Sequence, residues 1–428
     1  MNQALATAGA TPRQARLPWV RFLQVFIVVI PFLHALGIGA WLPLPMLVAG
    51  CALIAALATG GARWIWFERS DLWLVAMLAC GCVPLLVFMD YAGQKNLNHF
   101  FAFTVTLALF YVFMRAWIAE SGITIEQVSN AATIGLAIAA GAVVFEFALV
   151  NTFGVYLSAF LPYSADQMPE ARVLEDLLRP RGLAAEPGFS AMVFEALVPL
   201  SLPTLMKHRT LLFTVGPLAL AGFLLLFSAG AICSLIVASA LMIAAGRGLG
   251  LKVLLFVLVL TGLALFFAGG ELLTWLFDQV VGRKITDLME GDGVQDIAGR
   301  YVAYRVAWES SIAHPFGIGW GMISQIFSSG VQVPDVPEIQ SRGLLSLYLE
   351  VLVAAGVPGV LCLLIFLVRQ IIKLARLDDP TRLPILFGLL ALAIHHMFVL
   401  EFWFPMLWFY LALSAVWTRR AASQQPLR

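Results

Sequence analysis

Long apolar blocks alternate with short polar connections along most of the chain. Apolar runs occupy residues 19–38, 40–58, 71–89, 97–119, 130–152, 188–206, 210–227, 229–246, 251–270, 350–368, 383–400 and 402–418. About 20 apolar residues in a helix span the hydrocarbon core of a bilayer. The pattern therefore predicts an all-α fold, a polytopic membrane helical bundle of about twelve transmembrane helices, with residues 1–428 forming a single integral membrane domain.

Two stretches break this rhythm, residues 153–187 and 271–349. The first is loop-like around Pro162 and Pro169. It then alternates acid and base through Glu170, Arg172, Glu175, Asp176, Arg179, Arg181 and Glu186. The second holds Arg283, Lys284 and a helical pattern from Arg300 to His314, where Tyr301, Tyr304 or Arg305, Trp308 and Ile312 recur at helical spacing. Pro315 ends that pattern. Aromatics so spaced either pack on a bundle or sit at a membrane interface. With Arg305 one turn from Tyr301 and Trp308, they also make a surface for a sugar ring beside a phosphate.

Composition supports the membrane reading: 61% hydrophobic residues, 12% charged and a mean hydropathy of +0.91 exclude a soluble domain. A net charge of +1 leaves no basic footprint for nucleic acid. The distribution of charge is more informative. Alternate connections carry basic residues, from Arg13, Arg16, Arg63 and Arg69 through Lys207, Arg209 and Arg247 to Arg419 and Arg420. The positive-inside rule then puts both termini in the cytoplasm and both long segments outside. The polar, basic head from Met1 to Pro18 does not read as a cleavable signal. Cys51, Cys80, Cys82, Cys233 and Cys362 lie within apolar blocks without metal-ligand spacing, so packing is their expected role. No carboxylate cluster in the outer segments reads as a divalent-ion site, and neither a metal nor another cofactor is expected.

Three short patterns carry candidate chemistry. In the first, Arg179, Pro180, Arg181 and Gly182 precede Glu186 and Pro187. A guanidinium grips phosphate oxygens as a fork, and a carboxylate five residues on can take a proton from an attacking hydroxyl. Alternatively, the Arg and Glu pair with each other and fix the start of a helix. The second runs through Gly299, Arg300 and Tyr304 to His314, Pro315, Gly317, Gly319 and Gly321. Glycine clusters mostly mark turns, and without a preceding strand this one is no dinucleotide fingerprint. The third is Tyr348, Leu349 and Glu350 followed by Gly356, Pro358 and Gly359. Inside the apolar blocks, His34, Glu146, Glu195, His395 and His396 are ionisable, which makes them functional candidates, although most fall near block ends.

In this order and spacing the three patterns resemble the O-antigen ligase and polymerase superfamily of bacterial envelope enzymes. Members show Arg-Gly-x-x-x-Glu-Pro, matched by Arg181, Gly182, Glu186 and Pro187, and Gly-Arg with an aromatic four residues on, then Pro-x-Gly-x-Gly, matched by Gly299, Arg300, Tyr304, Pro315, Gly317 and Gly319. Two departures stand out. Ser228, Ala229 and Gly230 replace a Ser-Arg-Gly, and Leu345 and Ser346 replace the His-Asn that ligases carry before the Tyr-Leu-Glu stretch.

The resemblance implies an enzyme of the bacterial inner membrane with its site facing the periplasm. Such an enzyme takes a glycan from undecaprenyl diphosphate and passes it to a sugar hydroxyl on another carrier, without a metal. Implied partners are the undecaprenyl-diphosphate-linked glycan, membrane lipids and, for a polymerase, a chain-length regulator. Implied catalytic residues are Arg181 and Arg300, holding the diphosphate, and Glu186 as base, with Glu309, His314 and Glu338 as alternatives. Implied substrate contacts are Arg305, Tyr301, Tyr304, Trp308, His314, Gly317 and Gly319. The missing His-Asn favours a polymerase of O-antigen or exopolysaccharide repeats. An O-antigen ligase acting on lipid A core stays open, with His314 or His99 replacing the absent histidine. A lipid-linked oligosaccharide transporter is the reading from another class, disfavoured by the arginine-rich outer segments and the lack of an evident internal repeat.

Overall fold

The computed structural model describes residues 12–38, 42–60, 65–163, 178–226, 228–244, 295–323 and 346–424. These residues are helical apart from turns, loops and two isolated bridges, Ala35 with Tyr163 and Ile38 with Leu42. In chain order the helices are α1 (Pro12–Val29), α2 (Leu44–Ala58), α3 (Asp71–Val87), α4 (Gln94–Leu107), α5 (Met114–Ser121), α6 (Ile125–Phe153), α7 (Pro187–Lys207), α8 (Arg209–Leu225), α9 (Ala229–Ala244), α10 (Gln295–Ala313), α11 (Leu347–Ala375), α12 (Arg382–His395) and α13 (Pro405–Gln424). Asn96–Ser121, Ile125–Phe153, Pro187–Lys207 and Leu347–Ala375 are long and apolar enough to cross a membrane, and shorter apolar helices accompany them. The chain is a polytopic integral membrane protein. The apolar block at 251–270 lies outside the described residues, as do Arg172, Arg283, Lys284 and Glu338.

The bundle is built from closely packed helix pairs. Helix α6 packs on α7 and α8, α11 on α3, and α12 on α7 and α9. Chain reversals fall where the sequence supplies caps. Gly122 ends α5 in the left-handed region, Thr124 and Gln127 form a capping box for α6, and Gly154 ends α6 at φ 68°. A π-helical turn, Ala108–Phe113, joins α4 to α5. At that end of the bundle Arg115 pairs with Asp71 at 2.9 Å, and the Tyr111 hydroxyl donates to Asp71 at 2.7 Å, both buried. Since a lone charge in an apolar core is costly, the pair is a lock between α3 and α5.

Two blocks end as helices well short of their expected bounds: the apolar run 19–38 is helical only to Val29 and the run 383–400 only to His395. Pro31 cannot donate to a continuing helix, and residues 30–38 become a loop across the opposite end of the bundle. There the His34 and Ala35 amides both donate to the Leu183 carbonyl at 3.2 Å.

Helix α11 is broken at Gly356 (φ 67°, ψ −171°), and residues 315–319 fill the break. Val357 N–H donates to the Pro315 carbonyl, Ile318 N–H to Val353 and Gly319 N–H to Ala354, each at 2.9 Å. A Cβ on Gly317 would lie 2.5 Å from the Ala354 oxygen, and one on Gly356 would lie 2.3 Å from the Pro315 oxygen. Both have positive φ, so an L side chain meets backbone strain as well as a backbone clash that no rotamer relieves. Gly317→Ala and Gly356→Ala are therefore expected to yield little folded protein on size exclusion in detergent. Gly154→Ala, also at positive φ but with nothing within 4 Å, should keep most of it. Equal yields from all three would show that the interlock contributes little.

Candidate functional site

At the end of the bundle formed by residues 30–38, 154–163, 178–186 and 396–404, the Arg-Gly turn is fixed mainly through its backbone. Oε2 of Glu146, from α6, accepts the N–H groups of Arg181 and Gly182 at 2.5 Å each, and its Oε1 accepts Leu157 N–H at 2.9 Å. The Tyr163 hydroxyl donates to the Gly182 carbonyl at 2.6 Å, and the Ser190 hydroxyl donates to the Arg181 carbonyl. Gly182 takes φ +63°, and a Cβ there would lie 2.8 Å from Val143 Cγ2. His34 Nδ1 accepts Ala185 N–H at 3.1 Å. Burial lowers the His34 pKa to about 4, which keeps the ring neutral and Nδ1 an acceptor. Glu146 and His34 thus hold the turn that presents Arg181. The Arg181 guanidinium lies 4.2 Å over the Tyr156 ring.

Glu186 is the N-cap residue of α7 through its backbone alone, since its carboxylate makes no capping hydrogen bond. Opposite it is Glu401, from the turn between α12 and α13. The Phe404 ring packs edge-on against Phe189 at 5.0 Å, and the His34 ring lies against both. Glu401 Oε2 is buried without a hydrogen-bond partner among the described residues. Burial first, and the Glu186 charge second, raise the Glu401 pKa well above the carboxylate range. Burial therefore favours the protonated form of Glu401 beside Glu186.

The turn 396–404 is also where the other motifs meet. The Ser346 hydroxyl and Leu347 N–H donate to the His396 carbonyl at 3.3 and 3.0 Å, and the Tyr348 hydroxyl donates to Ala393 at 2.7 Å. The Tyr304 hydroxyl donates to the Met397 carbonyl at 3.2 Å. A Cβ on Gly230 would lie 3.3 Å from Phe398 Cβ and 3.4 Å from His395 Nε2. The His99 ring meets Phe402 at 5.6 Å and Trp403 at 6.4 Å. Glu401 and this turn are what the sequence reading missed. Their only local signal, His395 and His396 followed by Glu401 and three aromatics, lies between two apolar blocks and resembles a membrane-interface belt.

On α10, Tyr304, Trp308 and Ile312 are 43%, 66% and 65% exposed, whereas Val306, Ala307, Ser310 and Ser311 are buried. The aromatic stripe is thus an open face. Arg305 lies on the same exposed side and pairs with Glu309 at 3.4 Å. Arg300 and Tyr301 are on α10, Arg300 one turn before Tyr304; their side chains lie outside the described residues. His314 packs edge-on against Phe88 at 5.2 Å, and His99 lies 3.9 Å from Glu350. Gly317 and Gly319 are buried against the backbones of α11 and α3. Close packing therefore accounts for both glycines, and neither lies in an open cradle where a substrate would meet it. Among the described residues no group of three or more His, Cys, Asp and Glu side chains is placed to hold a metal ion.

Residues 215–364 match the protein family described as O-Antigen ligase. That stretch spans most of α8, all of α9 and α10 and the first part of α11, and stops short of Arg181, Glu186 and the 396–404 turn. The chain matches no curated protein.

Proposed function

We propose that the chain, whose residues 215–364 match the O-Antigen ligase family, is a membrane glycan transferase that polymerises undecaprenyl-diphosphate-linked repeats of O-antigen or exopolysaccharide. The observation carrying this reading is the convergence of the fixed Arg181 turn, Glu186, the open aromatic face of α10 and the start of α11 at one end of a membrane bundle. The distribution of basic residues puts that end on the periplasmic side.

In the proposed reaction an acceptor sugar hydroxyl attacks the anomeric carbon of the donor glycan. A C–O bond forms as the anomeric bond to the diphosphate breaks, and the diphosphate leaves with the bonding pair. Arg181 and Arg300 hold the charge that develops on it, and Glu186 takes the hydroxyl proton. Glu401, remaining protonated nearby, adds no second negative charge where one would repel the diphosphate. Tyr304 and Trp308 offer stacking faces to the sugars, with Arg305 at their edge.

Ligation to lipid A core is the second reading, favoured by the description of the matched family. Against it, the position of the ligase His-Asn holds Leu345 and Ser346, and Ser346 is occupied with the His396 carbonyl. Purified protein reconstituted with a lipid-linked oligosaccharide is expected to yield a ladder of longer lipid-linked glycans. A single transfer that requires lipid A core would favour the ligase. Movement across the bilayer without elongation would instead identify a transporter.

A further inference from the structure

We propose that the corner where the last turns of α11 meet the start of α3 is a binding site for an anionic phospholipid. Helix α11 begins beside the 396–404 turn and ends here 29 residues later, so this corner lies at the end of the bundle away from Arg181. Two contacts bolt the helices together. Lys373 Nζ lies 3.0 Å from Glu68 Oε2, and Gln370 Nε2 donates to Ser70 Oγ at 3.2 Å. Helix α13 joins them through the Ser414 hydroxyl, which donates to the Gln370 carbonyl at 3.5 Å. Further along α13, the Arg419 guanidinium lies 4.3 Å over the Trp66 ring.

Positive charge is in excess at this corner. Glu68 is matched by Lys373, and the buried Asp71 by Arg115. Arg69, Arg369, Arg376 and Arg419 are exposed, and their guanidiniums make no hydrogen bond or ion pair among the described residues. Of the two acids in the loop after α11, Asp378 is exposed and Asp379 is turned to Thr381.

Arginines that only orient a chain in the membrane need no fixed register, whereas these have one. Arg369, Lys373 and Arg376 recur at i, i+4 and i+7 along one side of α11. Beside them runs an exposed apolar stripe, Leu364, Val368 and Ile372. On α3, Leu72 and Val75 are likewise exposed beyond Arg69. Phe67, 73% exposed, follows Trp66 at the level where interfacial aromatics sit among headgroups. A phospholipid fits this order, with acyl chains along the stripe and phosphate oxygens in the guanidinium forks. Basic pockets between helices at a membrane face take acidic headgroups in the same way. A soluble polyanion would leave the stripe uncovered. The site uses none of the residues assigned to glycan transfer and does not rest on that reading.

The test titrates the full-length protein in a neutral detergent with cardiolipin, phosphatidylglycerol or phosphatidylcholine and counts bound lipid by native mass spectrometry. Wild type is expected to hold both anionic lipids and to lose phosphatidylcholine. Each charge near a membrane surface contributes about fivefold in affinity. The double variant Arg369→Gln/Arg376→Gln should therefore bind cardiolipin on the order of 25-fold more weakly. An unchanged melting temperature in detergent alone would confirm its fold; should it fail that check, Arg376→Gln alone is read, with a loss of about fivefold. Arg209→Gln, exposed at the same end on α8, should bind as wild type does. An equal loss from Arg209→Gln would mean a diffuse positive field and overturn the proposal. Equal binding of phosphatidylcholine, or undiminished binding by the folded arginine variant, would overturn it too. Equal affinity for glycerophosphoglycerol, which has no acyl chains, would overturn its lipid part.

Discussion

Glu186→Gln protein is expected to turn over on the order of 100-fold or more slowly than wild type, the size of a general-base contribution, with folded yield and donor binding unchanged. The side chain makes no capping hydrogen bond to α7, so an amide in its place leaves the helix start intact. If the carboxylate only took part in a half-exposed ion pair, the loss would be about 0 to 1 kcal/mol, and polymer would form at nearly the normal rate. Glu401→Gln is the matched control. Burial already holds Glu401 neutral, and a neutral amide of the same shape should leave turnover within about fivefold of wild type, well short of a general-base loss. Near-normal polymer from Glu186→Gln would pass the base assignment to Glu309, His314 or Glu338.

Arg181→Ala should lower the elongation rate by on the order of 100- to 1000-fold, as removal of a fixed donor at a developing negative charge does. The protein should still fold. Glu146, Tyr163, Ser190 and His34 hold the turn through its backbone, and none of these contacts uses the guanidinium. Arg181→Lys keeps the charge but loses the planar fork and the stacking on Tyr156, so it should remain impaired. Arg300→Ala and Arg300→Lys are expected to follow the same order. Full activity of Arg181→Ala at wild-type protein level would remove the arginine from leaving-group stabilisation, whereas a collapse in folded yield would make its role structural.

The sequence alone determined the membrane class, because apolar runs of bilayer length leave no soluble alternative. It also determined most helix positions, since caps such as Thr124 and Gly154 act on neighbouring residues. The Arg181 and Glu186 pattern was also visible as a candidate, because it rests on residue type and short spacing, while its role stands as a proposal. Tertiary structure decided what distant residues do to one another. Glu146 and His34 read as intramembrane ionisable candidates, and only their contacts with the 181–185 backbone, reached from α6 and from the loop after α1, show that they hold a turn. Gly317 and Gly319 read as ligand contacts, yet the approach of α11 and α3 makes them packing positions. Glu401 lies 215 residues from Glu186, and His395 lies 165 residues from Gly230. No periodicity connects residues so far apart, and burial, which gives both side chains their significance, exists only once the helices have closed around them.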